Sequence, residues 1–252
     1  MGLRYFYCKK HYFSLSQKKK ERIPSYVREC HLLNYLNQKG LPALIPNPTI
    51  GNDYKDFYMS YPLISGKQIN FNDNNLINLA KPIANFLAHL HNDVDCSTLK
   101  EVPSQLWCIP KTSFEFILCY ITINELNEIY EIYQQISKKL EDISTTLVHG
   151  DFNFTNLLHD DNKLVGVIDW TEAKLSCPET DLVLFGGQKS PFVQELLKNY
   201  NTFSKIPYSE KRFNQMRFIQ CIKSIIYAPN KDATVPKRLK ELEEIRGSNC
   251  LL

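Results

Sequence analysis

Residues 147–185 read LVHGDFNFTNLLHDDNKLVGVIDWTEAKLSCPETDLVLF, and we call them the decisive stretch because most of the predictions below depend on them. It contains two short apolar runs, each followed by acidic or polar residues, and these runs predict two strands joined by a loop. Asp151 comes just after the first run, Asn156 lies in the loop, and Asp169 ends the second run. Because the loop brings the strand ends together, we expect the three side chains to converge on one point.

The three converging residues predict a metal-dependent reaction. Two carboxylates and one amide oxygen are hard ligands, which suit Mg²⁺ better than zinc. Mg²⁺ keeps several waters and shares the phosphates of a substrate, so the set favours phosphoryl transfer. The competing interpretation is that each residue only caps or bends the local backbone, as Asp and Asn often do. The ordered set of all three favours the chemical interpretation.

The composition of the 252-residue chain is that of an ordinary globular protein with one large domain or two small ones. Hydrophobic residues make up 43% and charged residues 23%, which excludes collagen-like and disordered classes. The formal net charge of +3 gives no reason to expect nucleic acid or an anionic membrane as a partner. No stretch approaches the roughly 18 apolar residues of a membrane span, and the first residues do not resemble a secretory signal. We therefore expect a cytoplasmic protein.

The cysteines and histidines predict neither a zinc site nor a disulfide framework. No two cysteines lie two or three residues apart, whereas zinc ribbons and fingers take paired ligands from one tight turn. Disulfide frameworks are typical of small secreted domains, and this chain is long enough to bury a core. We expect reduced, mostly buried cysteines, at positions 8, 30, 96, 108, 119, 177, 221 and 250. His89 and His91 point to different faces of a predicted helix, and His91 is expected only to lie at its end.

The hydrophobic pattern divides the chain into a sheet-rich part, residues 1–65, and a helical part, residues 66–252. Aromatic residues predict a strand at 3–13, and a helix follows from Pro24 to Gly40. This order predicts an N-terminal sheet lobe that precedes a larger helical lobe.

Two further strands, around Ile50 and at 56–64, are expected to form a hairpin with its turn at Gly51–Asp53. After Gly66, apolar stripes at helical spacing predict long helices. The stripes are Leu76, Leu79, Ile83, Leu87 and Leu90, then Leu126, Ile129, Tyr133, Ile136 and Leu140, then Phe213, Met216, Phe218, Cys221 and Ile225.

The motifs in this pattern resemble those of a known family. His149-Gly150-Asp151 with Asn156 after four intervening residues, then Ile168-Asp169-Trp170 and Asp181-Leu182, resembles the aminoglycoside phosphotransferase and choline kinase-like family. Weaker matches lie at 29–36, 61–66 and 84–91, so the resemblance runs from about residue 3 to about residue 228. The family has a protein-kinase-like fold. The resemblance implies an α+β, two-lobed fold with a truncated N-terminal sheet lobe and a mostly helical C-terminal lobe.

The resemblance also implies a role for each motif residue. Asp151 is expected to be the catalytic base, or to orient the acceptor hydroxyl toward the γ-phosphate. Asn156 and Asp169 are expected to hold Mg²⁺ between the phosphates. His149, which we group with Asp151 in the catalytic motif, and Asp181 resemble residues that fix the loop and do not themselves react.

A nucleotide site in the N-terminal part is implied by the same resemblance. Glu29 is expected to pair with a lysine on the preceding strand, which binds the α- and β-phosphates. Lys9 is favoured and Lys10 is the alternative, because strand alternation lets only one of them face the cleft.

The segment 60–63 is expected to supply backbone groups to adenine, with Met59 lining the back of the pocket. Pro62 has no N–H to donate, so the donor is a neighbour such as Leu63, or the alignment is off by one residue. Met59, Ser60 and Leu63 are therefore assigned to the nucleotide site.

The N-terminus departs from the family pattern. Members usually have two strands and a phosphate-covering loop before the lysine strand, whereas only a few residues precede that strand here and none resembles a glycine-bearing loop. Without that cover the triphosphate would be less well positioned, which would weaken catalysis. A misassigned start codon, a compact N-terminal lobe and a decayed enzyme each explain the difference.

The sequence thus predicts a phosphotransferase that moves the γ-phosphate of ATP or GTP to a hydroxyl of a small molecule, aminoglycoside-like or another amino or sugar alcohol. The alternative is a catalytically weak or inactive kinase-like binding module. The resemblance places the acceptor on helices at 107–133 and 203–227. Glutamates there either attract a cationic amine or form a solvated face: Glu115, Glu125, Glu128 and Glu131. Gly150 disfavours choline, because choline kinases more often have Asn at that position.

Overall fold

The computed structural model describes residues 13–14, 23–53, 56–70, 76–105, 109–141, 143, 145–228, 230–247 and 251. The described strands are β1 (Phe13–Ser14), β2 (Thr49–Asp53), β3 (Asp56–Ser60), β4 (Lys67–Gln68), β5 (Thr146–Val148), β6 (Leu157–Asp160), β7 (Lys163–Val167) and β8 (Lys174–Ser176). The described α-helices are α1 (Ile23–Asn37), α2 (Ala80–Asp93), α3 (Ile123–Glu141), α4 (Glu179–Leu182), α5 (Pro191–Phe203), α6 (Glu210–Tyr227) and α7 (Lys231–Arg246). Short 3₁₀ segments lie at Leu76–Leu79, Cys96–Thr98, Lys111–Cys119, Phe154–Asn156 and Val183–Phe185. Small sheets and a helical C-terminal part confirm the predicted α+β class.

Helix α1 begins beside Pro24 and ends at Asn37, close to the predicted bounds. Gly40 follows in the left-handed conformation, with a φ of +65°, which glycine adopts without steric cost. The Asn37 side chain donates hydrogen bonds to the carbonyl oxygens of Leu33, at 2.8 Å, and Pro46, at 3.0 Å. These bonds fix the end of the helix against the segment that leads into β2.

The N-terminal sheet has the strand order β1-β3-β2 with antiparallel neighbours. The expected turn at Gly51–Asp53 is wrong, because all three residues pair with β3. Only residues 54 and 55, which lie outside the described residues, separate the two strands. Strand β2 is at the sheet edge, where residues of low strand propensity cost little. Strand β3 ends at Ser60 rather than at residue 64, because Pro62 cannot donate to a strand ladder.

Some predictions for the N-terminal part fall where the structure does not test them. The strand predicted at 3–13 lies outside the described residues, apart from Phe13, the first residue of β1. The predicted division between residues 65 and 66 falls in the segment that connects β3 with β4, and it stays a prediction.

The strands of the decisive stretch belong to two different sheets. Strand β5 pairs with β8, whereas β7 pairs with β6, which has β4 on its other side. We expected the two apolar runs, now β5 and β7, to be joined by a loop alone, and this is wrong because β6 lies between them. The signal for β6 is the apolar pair Leu157-Leu158 ahead of a tight turn at Asp161, whose φ is +50°.

Helix α2 connects the hydrophobic core to the decisive stretch. Its predicted apolar stripe is confirmed, since Ile83 and Leu87 are fully buried. Phe86 on the same helix stacks on Phe152, with ring centroids 5.7 Å apart, and meets Trp170 edge-on at 6.5 Å. These ring contacts hold two separate parts of the stretch against one helix. Among the helices that the structure describes, none is long and apolar enough to cross a membrane.

The described cysteines are free thiols, as predicted. Cys30, Cys177 and Cys221 are buried, Cys96 is partly buried and Cys119 is exposed. Burial raises the pKa of Cys177 and of Cys221 to about 12, so both remain protonated. In the part of the chain that the structure describes, no group of three or more His, Cys, Asp or Glu residues is placed to hold a metal ion.

Candidate active site

The loop that follows β5 turns sharply at Gly150, whose φ is +82°. A Cβ atom at this position would lie 2.2 Å from the carbonyl oxygen of Glu172, so the turn requires glycine. The next residue, Asp151, leaves the buried strand and lines an open pocket. We call residues 149–156 the catalytic loop.

A buried carboxylate anchors the catalytic loop. The two oxygens of Asp181 accept hydrogen bonds from the backbone N–H groups of His149 and Gly150, both at 2.9 Å. The Nε2 atom of His91 lies 3.3 Å from the same carboxylate. Burial opposes ionisation of Asp181, but the hydrogen bonds and charges of His91 and His149 together outweigh it and hold the pKa of the carboxyl below its ordinary value. An ionised Asp181 thus holds the loop from within the core.

His91 completes this anchor, and the sequence analysis missed its role. Its Nδ1 atom lies 2.9 Å from the Tyr200 hydroxyl, and its carbonyl oxygen accepts a hydrogen bond from Thr146 at 2.7 Å. His91 is 3% exposed, whereas we expected only a helix-end residue. Its spacing in the sequence could have predicted its burial, because His91 follows Leu87 by four residues and therefore lies on the apolar face of α2.

His149 connects the catalytic loop to the end of β7. Its Nδ1 atom accepts a hydrogen bond from the Asp151 N–H at 3.3 Å, so the ring proton is on Nε2, which lies 3.0 Å from the Ile168 carbonyl oxygen. Burial lowers the pKa of His149 and outweighs the opposing charge of Asp181, so the ring is neutral. The ring is fully buried and packs on Trp170, with centroids 4.6 Å apart. The geometry makes His149 a positioning residue.

Two amide side chains orient the carboxylate of Asp151. The Nδ2 atom of Asn153 donates to Oδ1 at 2.8 Å. The Nδ2 atom of Asn156 donates to Oδ2 at 2.9 Å and to the backbone carbonyl of Asp151 at 2.8 Å. Each carboxylate oxygen therefore has one donor from the protein and retains a lone pair for another. The structure brings Asp151 and Asn156 into direct contact, as the sequence predicted.

Asn153 is a site residue that the sequence analysis missed. Its Oδ1 atom accepts a hydrogen bond from the Thr155 N–H at 2.9 Å and so caps the 3₁₀ segment Phe154–Asn156. One side chain thus shapes the loop and orients Asp151. The signal was an Asn two residues before a Thr, a spacing typical of local capping turns.

Asp169 adopts the left-handed backbone conformation, with a φ of +65°. For a residue other than glycine this costs on the order of 1–3 kcal/mol, so the surrounding structure must impose it. The preceding residue, Ile168, donates its N–H to the Asn156 carbonyl at 3.0 Å, and the Thr171 hydroxyl donates to Asp169 at 2.7 Å. The backbone bond places Asp169 beside Asn156, so the three predicted residues lie together.

The donor set of Asn156 and Asp169 fits magnesium. Both hydrogens of the Asn156 amide are used by Asp151, so the amide oxygen is the atom left for a cation. Asp169 adds a carboxylate, and both oxygens are hard ligands. Mg²⁺ is usually bound by one or two carboxylates while waters and substrate phosphates complete its shell, so this small set is sufficient.

Tyr61 lies near enough to Glu29, predicted for the nucleotide site, and to Asp169, predicted for the metal site, for both charges to act on it. Burial raises the pKa of its phenol to about 12, with smaller contributions from the charges of Glu29 and Asp169. Both carboxylates therefore act on one phenol. Glu29 itself lies on α1 and is buried.

The other residues predicted for the nucleotide lie where the chain leaves the N-terminal sheet. Met59 is buried at the end of β3, Ser60 is partly buried, and Leu63 is 50% exposed. Lys9 and Lys10, the alternatives for the phosphate lysine, lie outside the described residues.

An open pocket of about 820 Å³ adjoins the catalytic loop at Gly150 and Asp151. Both segments predicted for the acceptor contribute to it, the first through Ile109 and the second through residues of α6. Helix α7 contributes Thr234 and Arg238, which the sequence analysis did not predict. We call this space the acceptor pocket.

The four glutamates considered for a cationic acceptor do not line the acceptor pocket. All four are exposed: Glu115, Glu125, Glu128 and Glu131. Glu125 accepts a hydrogen bond from the Thr122 N–H at 2.7 Å before the start of α3, and Glu128 is ion-paired with Arg246. Their exposure supports the solvated-face interpretation.

The sequence and the fold both have counterparts among known proteins. The family model described as the phosphotransferase enzyme family matches residues 13–203. The streptomycin-ATP-APH(2")-IIa ternary complex has a TM-score of 0.60 and 22% identity, with 94% of this chain and 91% of that chain covered. The GDP and kanamycin complex of APH(2")-IIia has a TM-score of 0.60 and 17% identity, with 90% and 83% covered. Macrolide 2'-phosphotransferase MphH from Brachybacterium faecium has a TM-score of 0.60 and 17% identity, with 90% of this chain and 81% of that chain covered. No curated protein matches the chain at a significant level. The structural likenesses confirm the predicted kinase-like fold.

Proposed function

The chain belongs to the phosphotransferase enzyme family and is a small-molecule kinase, and from that premise we propose that it transfers the γ-phosphate of ATP or GTP to a hydroxyl group. The observation that carries the proposal is the geometry of the catalytic loop. Asp151 lies at the acceptor pocket with both carboxylate oxygens oriented by amides, and a backbone hydrogen bond from Ile168 to Asn156 brings Asp169 to the same part of the loop.

In the proposed reaction, the acceptor oxygen forms a bond to the γ-phosphorus, and the bond from that phosphorus to the bridging oxygen of the nucleotide breaks. ADP or GDP leaves, and the hydroxyl proton passes to Asp151. Asp151 suits this role because it is partly exposed at the pocket and two amide donors fix its orientation. His149 and Asp181 contribute by holding the backbone from which Asp151 projects.

Asn156 and Asp169 are proposed to hold Mg²⁺. When bound, Mg²⁺ would neutralise charge on the nucleotide phosphates. The chain restrains both residues, because Ile168 bonds to the Asn156 backbone, the Asn156 amide bonds to Asp151, and the Thr171 hydroxyl donates to Asp169.

For the nucleotide, we propose that Met59, Ser60 and Leu63 surround the base and that Glu29 lies near the phosphates with Lys9, or with Lys10 as the alternative. The position of Tyr61 supports this arrangement, because the charges of both Glu29 and Asp169 raise the pKa of its phenol. The phosphate end of a nucleotide bound here would then lie next to the metal ligands.

Calorimetric titration with Mg-ATP and with Mg-GTP tests the proposed function. The intact chain is expected to bind one or both nucleotides at micromolar concentration, and Asp169→Ala is expected to weaken binding by at least about tenfold. Asp160→Ala, at an exposed carboxylate on β6, is the matched control and should bind like the intact chain. Asp151→Ala should bind nucleotide and lose phosphate transfer. A folded chain that binds neither nucleotide would contradict the proposal and favour the binding-module alternative.

A further inference from the structure

The walls of the acceptor pocket carry cationic side chains from three different elements. Lys174 lies on β8, Lys223 on α6 and Arg238 on α7, and all three line the pocket. The acidic residues among the described lining residues are Asp151 and Glu172. Because Asp151 is assigned to the reacting hydroxyl, the remaining wall is predominantly positive.

The charge of Arg238 is compensated within the helices that carry it. Arg238 is ion-paired with Glu241 at 2.5 Å, and the same carboxylate binds Arg217 on α6 at 2.8 Å. This network ties α6 to α7 and gives Arg238 a structural partner. Lys174 and Lys223 supply the other two positive charges of the wall.

Lys174 and Lys223 lie close enough to influence each other. The pKa of Lys223 is lowered to about 8, mainly by burial, and the charge of Lys174 lowers it by more than the charge of Glu172 raises it. Holding two ammonium groups near each other in a partly buried wall has an electrostatic cost. An anion bound between them would remove that cost, whereas a cation would add to it.

The position of Lys174 brings this pair next to the reacting groups. A Cβ atom at Gly150 would lie 3.1 Å from the Cε atom of Lys174, so the end of the lysine side chain lies against the catalytic loop. The pairing of β5 with β8, in which Lys174 lies opposite Val148, fixes this position. The ammonium group is therefore adjacent to the turn that presents Asp151.

We propose that the acceptor of this kinase carries an anionic group, a carboxylate or a phosphate, which binds between Lys174 and Lys223 while its hydroxyl faces Asp151. This inference rests on the proposed function and specifies the acceptor class. Each lysine donates a charge-assisted hydrogen bond, which is stronger than a neutral one. Tyr227, 72% exposed at the pocket, offers an aromatic face to the body of the acceptor.

Transfer of labelled phosphate from ATP and from GTP to four sets of hydroxyl compounds tests the inference. The sets are hydroxy acids, sugar phosphates, neutral sugars with polyols, and aminoglycosides with amino alcohols. Product is expected from the hydroxy acids or the sugar phosphates, and the set that gives product distinguishes a carboxylate from a phosphate. A higher kcat/KM for a neutral or cationic compound than for every anionic one would overturn the inference.

Lysine variants test whether the pair is responsible. Lys174→Gln and Lys223→Gln should each raise the KM of the anionic acceptor by at least about tenfold and leave the KM of the nucleotide within about twofold. Lys223→Arg should retain most of the acceptor affinity because it keeps the charge. Lys237→Gln, at an exposed lysine of α7, removes the same charge outside the pocket and should have no effect. An unchanged acceptor KM in both glutamine variants would overturn the inference.

Nucleotide titration of the same preparations separates the two possible failures. If the chain binds ATP or GTP but yields no product from either anionic set, the inference about the acceptor is wrong and the proposed function stands. If the folded chain binds neither nucleotide, the proposed function fails and the inference fails with it.

Discussion

The catalytic loop and the acceptor pocket adjoin each other but are built in opposite ways. In the loop, Asp181 binds two backbone N–H groups, and two amide side chains bind Asp151. In the pocket, Lys174 and Lys223 come from separate elements and face an open space of about 820 Å³. A dense hydrogen-bond network fixes one geometry, whereas a charged open wall selects a ligand by its charge. Under the proposed function, the first region would determine the reaction and the second would select the acceptor.

The largest effect is expected where the loop joins the core, at Asp181. Asp181→Ala leaves two backbone N–H groups and His91 without their buried acceptor. Removing one partner of a buried charged network costs about 3–5 kcal/mol, and we expect a loss of this size in the free energy of unfolding. Urea unfolding measures it, with the exposed Asp160→Ala as a control that changes stability by less than about 0.5 kcal/mol. A loss at Asp181 no larger than the control would show that the core does not anchor the loop.

Gly150→Ala tests the turn itself. The new Cβ would lie 2.2 Å from the carbonyl oxygen of Glu172, in a backbone conformation that alanine rarely adopts. We expect a loss of roughly 2–4 kcal/mol in stability and a fall of about 100-fold in kcat, because Asp151 would move with the turn.

Gly40→Ala is the matched control for this prediction. Gly40 also has a positive φ, of +65°, but no atom lies within 4 Å of a Cβ built there. It should therefore show only the backbone cost, about 1–2 kcal/mol, with unchanged kcat. Equal effects of the two substitutions, measured by urea unfolding and transfer kinetics, would show that the turn imposes no special geometry.

The sequence predicted the residues of the catalytic loop better than those of the acceptor pocket. Asp151, Asn156 and Asp169 were found because they lie in one short stretch with fixed spacing, and local spacing is what a sequence displays directly. The stripe of α2 was found because a helix repeats its buried face at a regular period. Helix α1 was found from Pro24 and Gly40, which mark its two ends.

The pocket was less accessible to prediction, because its lining comes from separate segments whose proximity depends on the tertiary fold. Lys174, Lys223 and Arg238 have no shared motif, and the four glutamates near α3 drew attention instead. The role of His91 was missed for a related reason. A polar residue on an apolar stripe can be assigned a role only when its hydrogen-bond partners are known. Its partners, Asp181 and Tyr200, lie about 90 and 109 residues away.

Lys223→Met tests the charged wall of the acceptor pocket. The folded chain holds the pKa of Lys223 at about 8, below the ordinary 10.5, through burial and the charge of Lys174. The unfolded chain therefore binds more protons between these two pH values, so the contribution of Lys223 to stability rises with pH across that window. Below pH 8 the buried charge is destabilising, and removing it should stabilise the chain by up to ~3 kcal/mol.

Urea unfolding at neutral pH and near pH 10 measures this effect. The gain from Lys223→Met should be largest at neutral pH and should shrink as the pH rises above about 8. Lys237→Met, at an exposed lysine, should show no such dependence. A gain that is constant across the range would mean that Lys223 is not held at a cost in the pocket wall.

The smallest effect is expected at Asn153, whose two functions are separable. Asn153→Ala removes the donor to Asp151 and the cap on Thr155, and should cost about 1 kcal/mol in stability together with a fall in kcat. Asn153→Asp keeps an acceptor for the cap but replaces the donor with a second carboxylate beside Asp151. Its stability should therefore stay nearer that of the parent chain while kcat falls further. If Asn153→Asp retains full kcat in transfer assays, the orientation of Asp151 does not depend on this amide, and Asn156 alone supplies it.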